Sequence, residues 1–321
     1  MKYRFPVFVA VIAVTTALVV VAQGPKTYKA PRTPDGQPDI QGVWSNAVIT
    51  PLERPADLAD KAFLTEKEAL EYEKKTIANN NKDSRAGAGT DADVANAYND
   101  FWWDRGTKVV GTRRTSLIVD PPDGRIPALT PLAQKRQAEL KQFRRDHPAD
   151  GPENRPLGER CILLNSAGPP MSPSAYNNNY QVIQSKDHIV ILNEMVHDAR
   201  VIPLDGRPHL PSDVRQIMGD SVGRWVGETL VVDTTNFTDL TAFRGSGPKL
   251  HLTERFTRVD AETLLYEYTV DDPESFAKPW SVALPSTRVS GPIFEYACNE
   301  GNLGMEGLLS AARAEEKSNA K

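Results

Sequence analysis

The second half of this chain is a succession of alternating or β-branched runs, joined by connections too short to hold a helix. The runs lie at 180–184, 188–195, 200–203, 224–235, 250–259, 263–271, 280–290 and 293–298. Between several of them stand only turn-sized segments, Ser185-Lys186-Asp187, Val226-Gly227-Glu228 and Asp260-Ala261-Glu262. Parallel neighbours need a crossover of roughly a dozen residues, usually a helix, so strands spaced this closely pair antiparallel. The expected product is a meander, either a barrel or a strongly curved sheet.

The first half has a different texture. Residues 40–44 and 116–119 read as short strands, and residues 64–77 as a helix. Thr65 is a natural N-cap there, and Glu68 completes a capping box. Residues 79–90 are polar and Gly-rich, a loop signal, while 91–100 read as helical and lead into Phe101-Trp102-Trp103. Thr130-Pro131 opens another helix reaching residue 145, with Pro at its first position. Residues 303–317 form a closing helix. The fold class is therefore α+β, mainly an antiparallel β meander in the C-terminal half with helices inserted in the N-terminal half. An extended arm over 23–37 precedes one globular domain over 38–317. Asp-Gly followed shortly by Pro recurs at Asp35-Gly36, Asp123-Gly124 and Asp205-Gly206, where turn chemistry and duplicated strand–turn units are both adequate readings.

The N-terminus points to a compartment. Lys2 and Arg4 precede an apolar stretch over 5–21, and Val20-Val21-Ala22 supplies small residues for cleavage after Ala22. A retained anchor is the competing reading, but Pro6 interrupts the stretch and no basic stop-transfer cluster follows Gln23-Gly24-Pro25. Residues 1–22 are thus expected to be a signal peptide, leaving a soluble periplasmic or secreted protein without a stable membrane anchor. Cys161 and Cys298 would then meet an oxidising environment, where a disulfide is the expected state. The formal charge is −4, and −6 once Lys2 and Arg4 leave. An acidic chain of this kind argues against nucleic acid as a partner, since phosphate binding draws on clustered Lys and Arg.

No zinc-binding His-Glu-x-x-His, Gly-x-Ser-x-Gly elbow, phosphate loop or dinucleotide fingerprint is present, so no cofactor and no metal are expected. The densest polar constellation is Glu194, His197, Asp198 and Arg200. If 194–200 is a strand, Glu194, Val196, Asp198 and Arg200 share one face and His197 the other. As a catalytic set, His197 would be the acid/base, Asp198 or Glu194 its orienting carboxylate, and Arg200 the anchor for an anion. The plainer reading is a strand end with a surface ion pair. A metal held by His197, His209 and a carboxylate matches no ligand spacing. Tyr176, Asn178 and Tyr180 suit recognition of sugars or polar rings, because Tyr stacks while Asn reads hydroxyls. An ordinary loop ahead of a strand explains them too. His209 and Trp44 complete the ligand-binding candidates.

The segment Gly223-Arg224-Trp225-Val226-Gly227-Glu228-Thr229-Leu230-Val231-Val232-Asp233-Thr234-Thr235-Asn236-Phe237 resembles the hallmark of a large family of secreted bacterial proteins of unknown function. Arg160-Cys161-Ile162-Leu163, the 176–180 segment, His197-Asp198-Ala199-Arg200, Phe294-Glu295-Tyr296-Ala297-Cys298 and the opening from Pro34 fit the same family. The resemblance covers nearly the whole mature chain and implies export, but no activity. Gly42-Val43-Trp44 is also similar to the Gly-x-Trp that opens lipocalins, from which the helices up to residue 145 depart. Three functions fit the sequence: a small-molecule binder with a β-rich cavity, a hydrolase- or lyase-like enzyme built on His197, and a non-catalytic envelope interaction protein.

Overall fold

A computed structural model describes residues 28–81, 89–90, 103–164, 166–241 and 243–319. The signal peptide expected over 1–22, the helix expected at 91–100 and Trp102 lie outside these residues. Ten strands form one antiparallel sheet: β1 (Gly42–Ser45), β2 (Ile118–Asp120), β3 (Asn179–Gln184), β4 (His188–Asn193), β5 (Ala199–Pro203), β6 (Asp220–Val226), β7 (Thr229–Thr235), β8 (His251–Arg258), β9 (Thr263–Asp271) and β10 (Trp280–Val289). The order is β5-β4-β3-β1-β10-β9-β8-β7-β6, with β2 paired to β10 beside this path. Among the described residues three helices accompany it: α1 (Glu66–Asn80), α2 (Pro131–Asp146) and α3 (Leu303–Asn319).

The sheet curls until its two edges meet, without closing. Every step along the path is antiparallel, and nine strands make eight such steps, so the edge strands β5 and β6 run in the same direction. They lie alongside one another without pairing and are joined by the irregular crossover 204–219. Gly223 lets them approach: a Cβ there would stand 2.7 Å from Leu204 Cδ2 and 3.0 Å from Ile202 Cγ2.

One face of the sheet carries the core. Trp44 pairs with Tyr180, Phe256 with Tyr266, and Tyr268 with Val282, all buried on that face together with Trp280. Each large apolar side chain removed from water contributes roughly 1.5–3 kcal/mol. Several polar atoms inside are satisfied, although the Trp280 Nε1 has no hydrogen-bond partner among the described residues. Trp44 Nε1 donates to the Ile40 carbonyl at 3.0 Å, and the Tyr180 hydroxyl donates to Ser286 Oγ at 2.9 Å. Arg200 on β5 reaches across the interior to Glu254 on β8 with two hydrogen bonds of 2.6 and 3.0 Å. Tyr266 donates to the same carboxylate at 2.7 Å and accepts from the Met171 amide at 3.0 Å. Burial and then the charge of Glu254 raise the Tyr266 pKa well above its usual value, which keeps the phenol a donor.

The two ends of the curl differ. The short turns 185–187, 227–228 and 260–262 cluster at one end, where the arm covers them: Gln37 donates to the Lys186 carbonyl and Arg258 to the Asp39 carbonyl. The crossover 204–219 starts beside the 185–187 turn, where the Leu204 amide donates to the Asp187 carbonyl, while the other long connections emerge at the other end. There Thr65 and Glu68 make the expected capping box of α1, and Thr130 caps α2 through the Ala133 amide. Helix α1 extends through residues 79 and 80, beyond the expected loop start. The three Asp-Gly turns all place glycine at positive φ, 80° at Gly36, 69° at Gly124 and 75° at Gly206.

Two local expectations are corrected. Residues 293–298 form no strand: the chain leaves β10 at the short-turn end and returns toward the other, tied by the Phe294 amide to Glu194 and by Cys298 to Cys161. A strand needs a free edge beside it, and β10 already lies between β9 and β1. Residues 194–200 are likewise not one strand, because Val196 and His197 take positive φ of 64° and 56° and make a turn between β4 and β5.

Removing one partner of a buried bidentate pair leaves an uncompensated charge. Glu254→Gln is expected to lower stability by about 3–5 kcal/mol in urea unfolding, and Arg200→Met/Glu254→Leu to recover much of it. The disulfide between Cys161 and Cys298 has a Cα separation of 5.6 Å and spans 137 residues. Reducing it is expected to lower the melting temperature, by the equivalent of about 2–5 kcal/mol.

Candidate functional site

The expected catalytic residues diverge. Arg200 points into the core and is committed to Glu254. Glu194 is buried, accepting from Asn179 Nδ2 at 2.9 Å and from the Phe294 amide at 3.2 Å. Asp198 accepts from the adjacent Ala199 amide. His197 sits in the β4–β5 turn, and its buried Nδ1 has no hydrogen-bond partner. Glu194, Asp198 and Arg200 therefore hold backbone and core, and none of them orients His197.

The expected ligand-binding residues also separate. Trp44 and Tyr180 are core side chains. Asn178 is buried and ties a loop together, accepting from the Ser174 amide at 2.7 Å and donating to the Ser174 carbonyl and to Asp104. Tyr176 is half-buried in an aromatic chain, 6.0 Å from Trp103 and 6.2 Å from Tyr296 between ring centroids. Burial and the neighbouring Tyr296 hydroxyl raise its pKa.

That aromatic chain borders a concavity at the long-connection end. A pocket of about 350 Å³ is lined by Arg105, Arg244, Ser172, Thr50, Thr76 and Asn80 among others, and none of its described lining residues is Asp or Glu. The Arg105 guanidinium lies 3.8 Å from the centroid of the Trp103 ring, a cation–π contact that holds its direction. Neither Arg105 nor Arg244 has an ion-pair partner among the described residues. Arg244 takes a left-handed φ of 53° in the turn Phe243–Gly245, which places it beside the sheet's end. Ser172 is 6% exposed and its hydroxyl reaches no partner in hydrogen-bond geometry. Burial raises the Tyr268 hydroxyl beyond its ordinary range, opposed first by the nearby Ser172 hydroxyl and then by the charge of Arg244. The pocket thus overlies the tyrosine end of the core. Burial, then the charge of Glu194, raises the nearby Asp104 carboxyl. Sequence reading missed Arg105 and Arg244, which stand in irregular segments and meet only through the fold.

A second polar array lies on the outer face of the sheet. His209 Nδ1 is 2.8 Å from Asp220 Oδ2, and its Nε2 is 3.0 Å from Asp233 Oδ1. His251 Nε2 is 2.7 Å from the other oxygen of Asp233. Asp220 also accepts from the Leu210 amide, and Asn236 Nδ2 donates to the Leu210 carbonyl, so the array pins the crossover 204–219. Among the described residues no group of His, Cys, Asp and Glu side chains is arranged to hold a metal ion.

No protein-family model matches the chain, and no curated protein matches it. Among solved structures, the crystal structure of a variant of the fluorescent protein UnaG aligns with 36% of this chain and 72% of that one. The identity is 19% and the TM-score 0.22. At that similarity the alignment carries no argument about ligand or mechanism.

The array makes stability depend on pH. The hydrogen bond to Asp233 raises the His251 pKa above 6.5, although partial burial opposes it. A raised imidazole pKa means stabilisation that is complete below the unfolded value and lost as pH rises through the folded one. Asp233 is lowered, chiefly by His251, so its contribution is present above 3.8 and lost as pH falls through the lowered value. Wild-type melting temperature is therefore expected to decline as pH rises above about 6.5, and His251→Asn to flatten that decline.

Proposed function

We propose that this is an exported protein that binds a small organic anion in the Arg105–Arg244 pocket. The observation that carries the reading is the lining itself: two guanidinium groups with no carboxylate among the described lining residues. Like charges held in one concavity repel, and an anion between them relieves that repulsion while giving each planar fork two acceptors. The volume, about 350 Å³, suits a compact ligand. Arg105 and Arg244 line this pocket, whereas the core face of the sheet is packed with aromatic side chains.

Export is supported by the disulfide and by the leader-like N-terminus, and membership of the secreted family by the motif over 223–237. Among the described residues no helix is long and apolar enough to cross a membrane. Cleavage after Ala22 would leave Gln23 as the first residue of the protein recovered outside the cytoplasm, which N-terminal sequencing reads directly.

Thermal-shift screening against monocarboxylates, dicarboxylates, sulfonates and phosphate esters tests the pocket. At least one class is expected to stabilise the fold, by about 2.7 kcal/mol at one hundred times Kd. Arg105→Gln and Arg244→Gln should each weaken that ligand about tenfold or more, in line with the loss of a charge-assisted hydrogen bond. Equal binding by both variants, or no response to any anion, would remove the proposal.

A further inference from the structure

The loop 239–248 that presents Arg244 to the first pocket also walls a larger cleft on its other side, against α2. Two concavities join there through Leu140, Arg144 and Asp239. One, of about 430 Å³, has an apolar wall of Phe143, Leu157, Leu163, Leu164, Pro169 and Leu240, with Glu153, Arg155 and Arg160 also on its lining. The other, of about 1000 Å³, carries Arg136, Lys141, Arg144 and Arg145 against the single carboxylate of Asp239.

The cations of the second concavity are not equivalent. Arg136 is engaged with the Gly245 carbonyl and Ser275 Oγ, and Arg145 with Gln142. Lys141 and Arg144 have no hydrogen-bond or ion-pair partner among the described residues. In the wall of the same concavity, next to the Gly245 carbonyl that Arg136 holds, Ser246 is 1% exposed and its hydroxyl is unpartnered. A buried hydroxyl without a partner is uncommon, because leaving it so forfeits its solvation. Directly adjoining, Leu140, Phe143 and Leu240 are 39%, 49% and 54% exposed, an apolar surface on an otherwise charged helix.

We infer that this cleft is a second binding site, for an amphipathic organic acid. The anionic head lies between Lys141, Arg144 and Ser246, and the apolar tail lies along Phe143, Leu157 and Leu240. A wholly apolar ligand would leave the free cations uncompensated, and a simple inorganic anion would leave the apolar groove wet. A linear acid satisfies both halves, with Arg144 at the junction that the two concavities share. The site is independent of the Arg105–Arg244 pocket, and its failure would not touch that reading.

Calorimetric titration of the mature protein with dodecanoate, below its micellar concentration, tests the assignment, with dodecanol and octanoate as comparators. Saturable one-to-one binding is expected, weaker for octanoate and at least tenfold weaker for dodecanol. Lys141→Gln/Arg144→Gln should weaken dodecanoate at least tenfold and Phe143→Ser severalfold. Arg244→Gln should leave it unchanged, and circular dichroism of each variant checks the fold. Absence of saturable binding, or full binding by Lys141→Gln/Arg144→Gln, would overturn the site. Loss of dodecanoate binding in Arg244→Gln but not in Lys141→Gln/Arg144→Gln would overturn it too, by moving the acid to the first pocket. Dodecanol binding as tightly as dodecanoate would overturn the role given to the cations.

Discussion

Arg200 and Glu254 meet inside a curled sheet whose edges do not pair. Arg200 stands on an edge strand and Glu254 near the opposite end of the strand order. Their bond, with Tyr266, is a tie across the interior where no ladder hydrogen bond exists to supply one. Desolvation works against the Arg200 charge, and the charge and hydrogen bonds of Glu254 outweigh it, so the guanidinium pKa rises. Burying two ions costs several kcal/mol each, so the net gain over a well-packed apolar pair is small. What the bidentate geometry adds is direction, because only one placement of β5 against β8 satisfies both forks.

The need for such a tie comes from strand parity. With nine strands on an antiparallel path, the last neighbour relation is between strands of the same direction, and no hairpin can join them. The crossover 204–219 resolves the connection, and the His209–Asp220–Asp233–His251 array holds it on the outer face. The other long connections then gather at the end of the sheet away from the hairpin turns, and both proposed sites are built from them. The scaffold is rigid sheet, and the chemistry stands on loops that the sheet positions.

How much of this was legible depended on range. The capping box at Thr65 and Glu68, the proline at the start of α2 and the tight turn at Gly227-Glu228 are local, and the structure reproduces them. Residues 293–298 look like a strand because Ile293, Phe294, Tyr296 and Cys298 favour one, but pairing needs a vacant edge that the sequence does not display. His197, Asp198 and Arg200 were legible as an unusual polar set, and the positive φ at Val196 and His197 scatters them. Arg200 does bind a carboxylate, as its chemistry led one to expect, but that carboxylate is Glu254 of the same chain. Arg105 and Arg244 carried no local signal, since their meaning lies in the acids absent around them.

Gly223 has a bearing on how the protein survives as a separate molecule. An unpaired edge strand is a template for a strand from another chain, a route to self-association. Here the two edges meet at Gly223, where the side chains of Ile202 and Leu204 approach its backbone. A bulky residue at that position would act as a wedge, parting the seam and turning two apposed edges into two sites for self-association. The missing side chain thus serves as a safeguard of solubility.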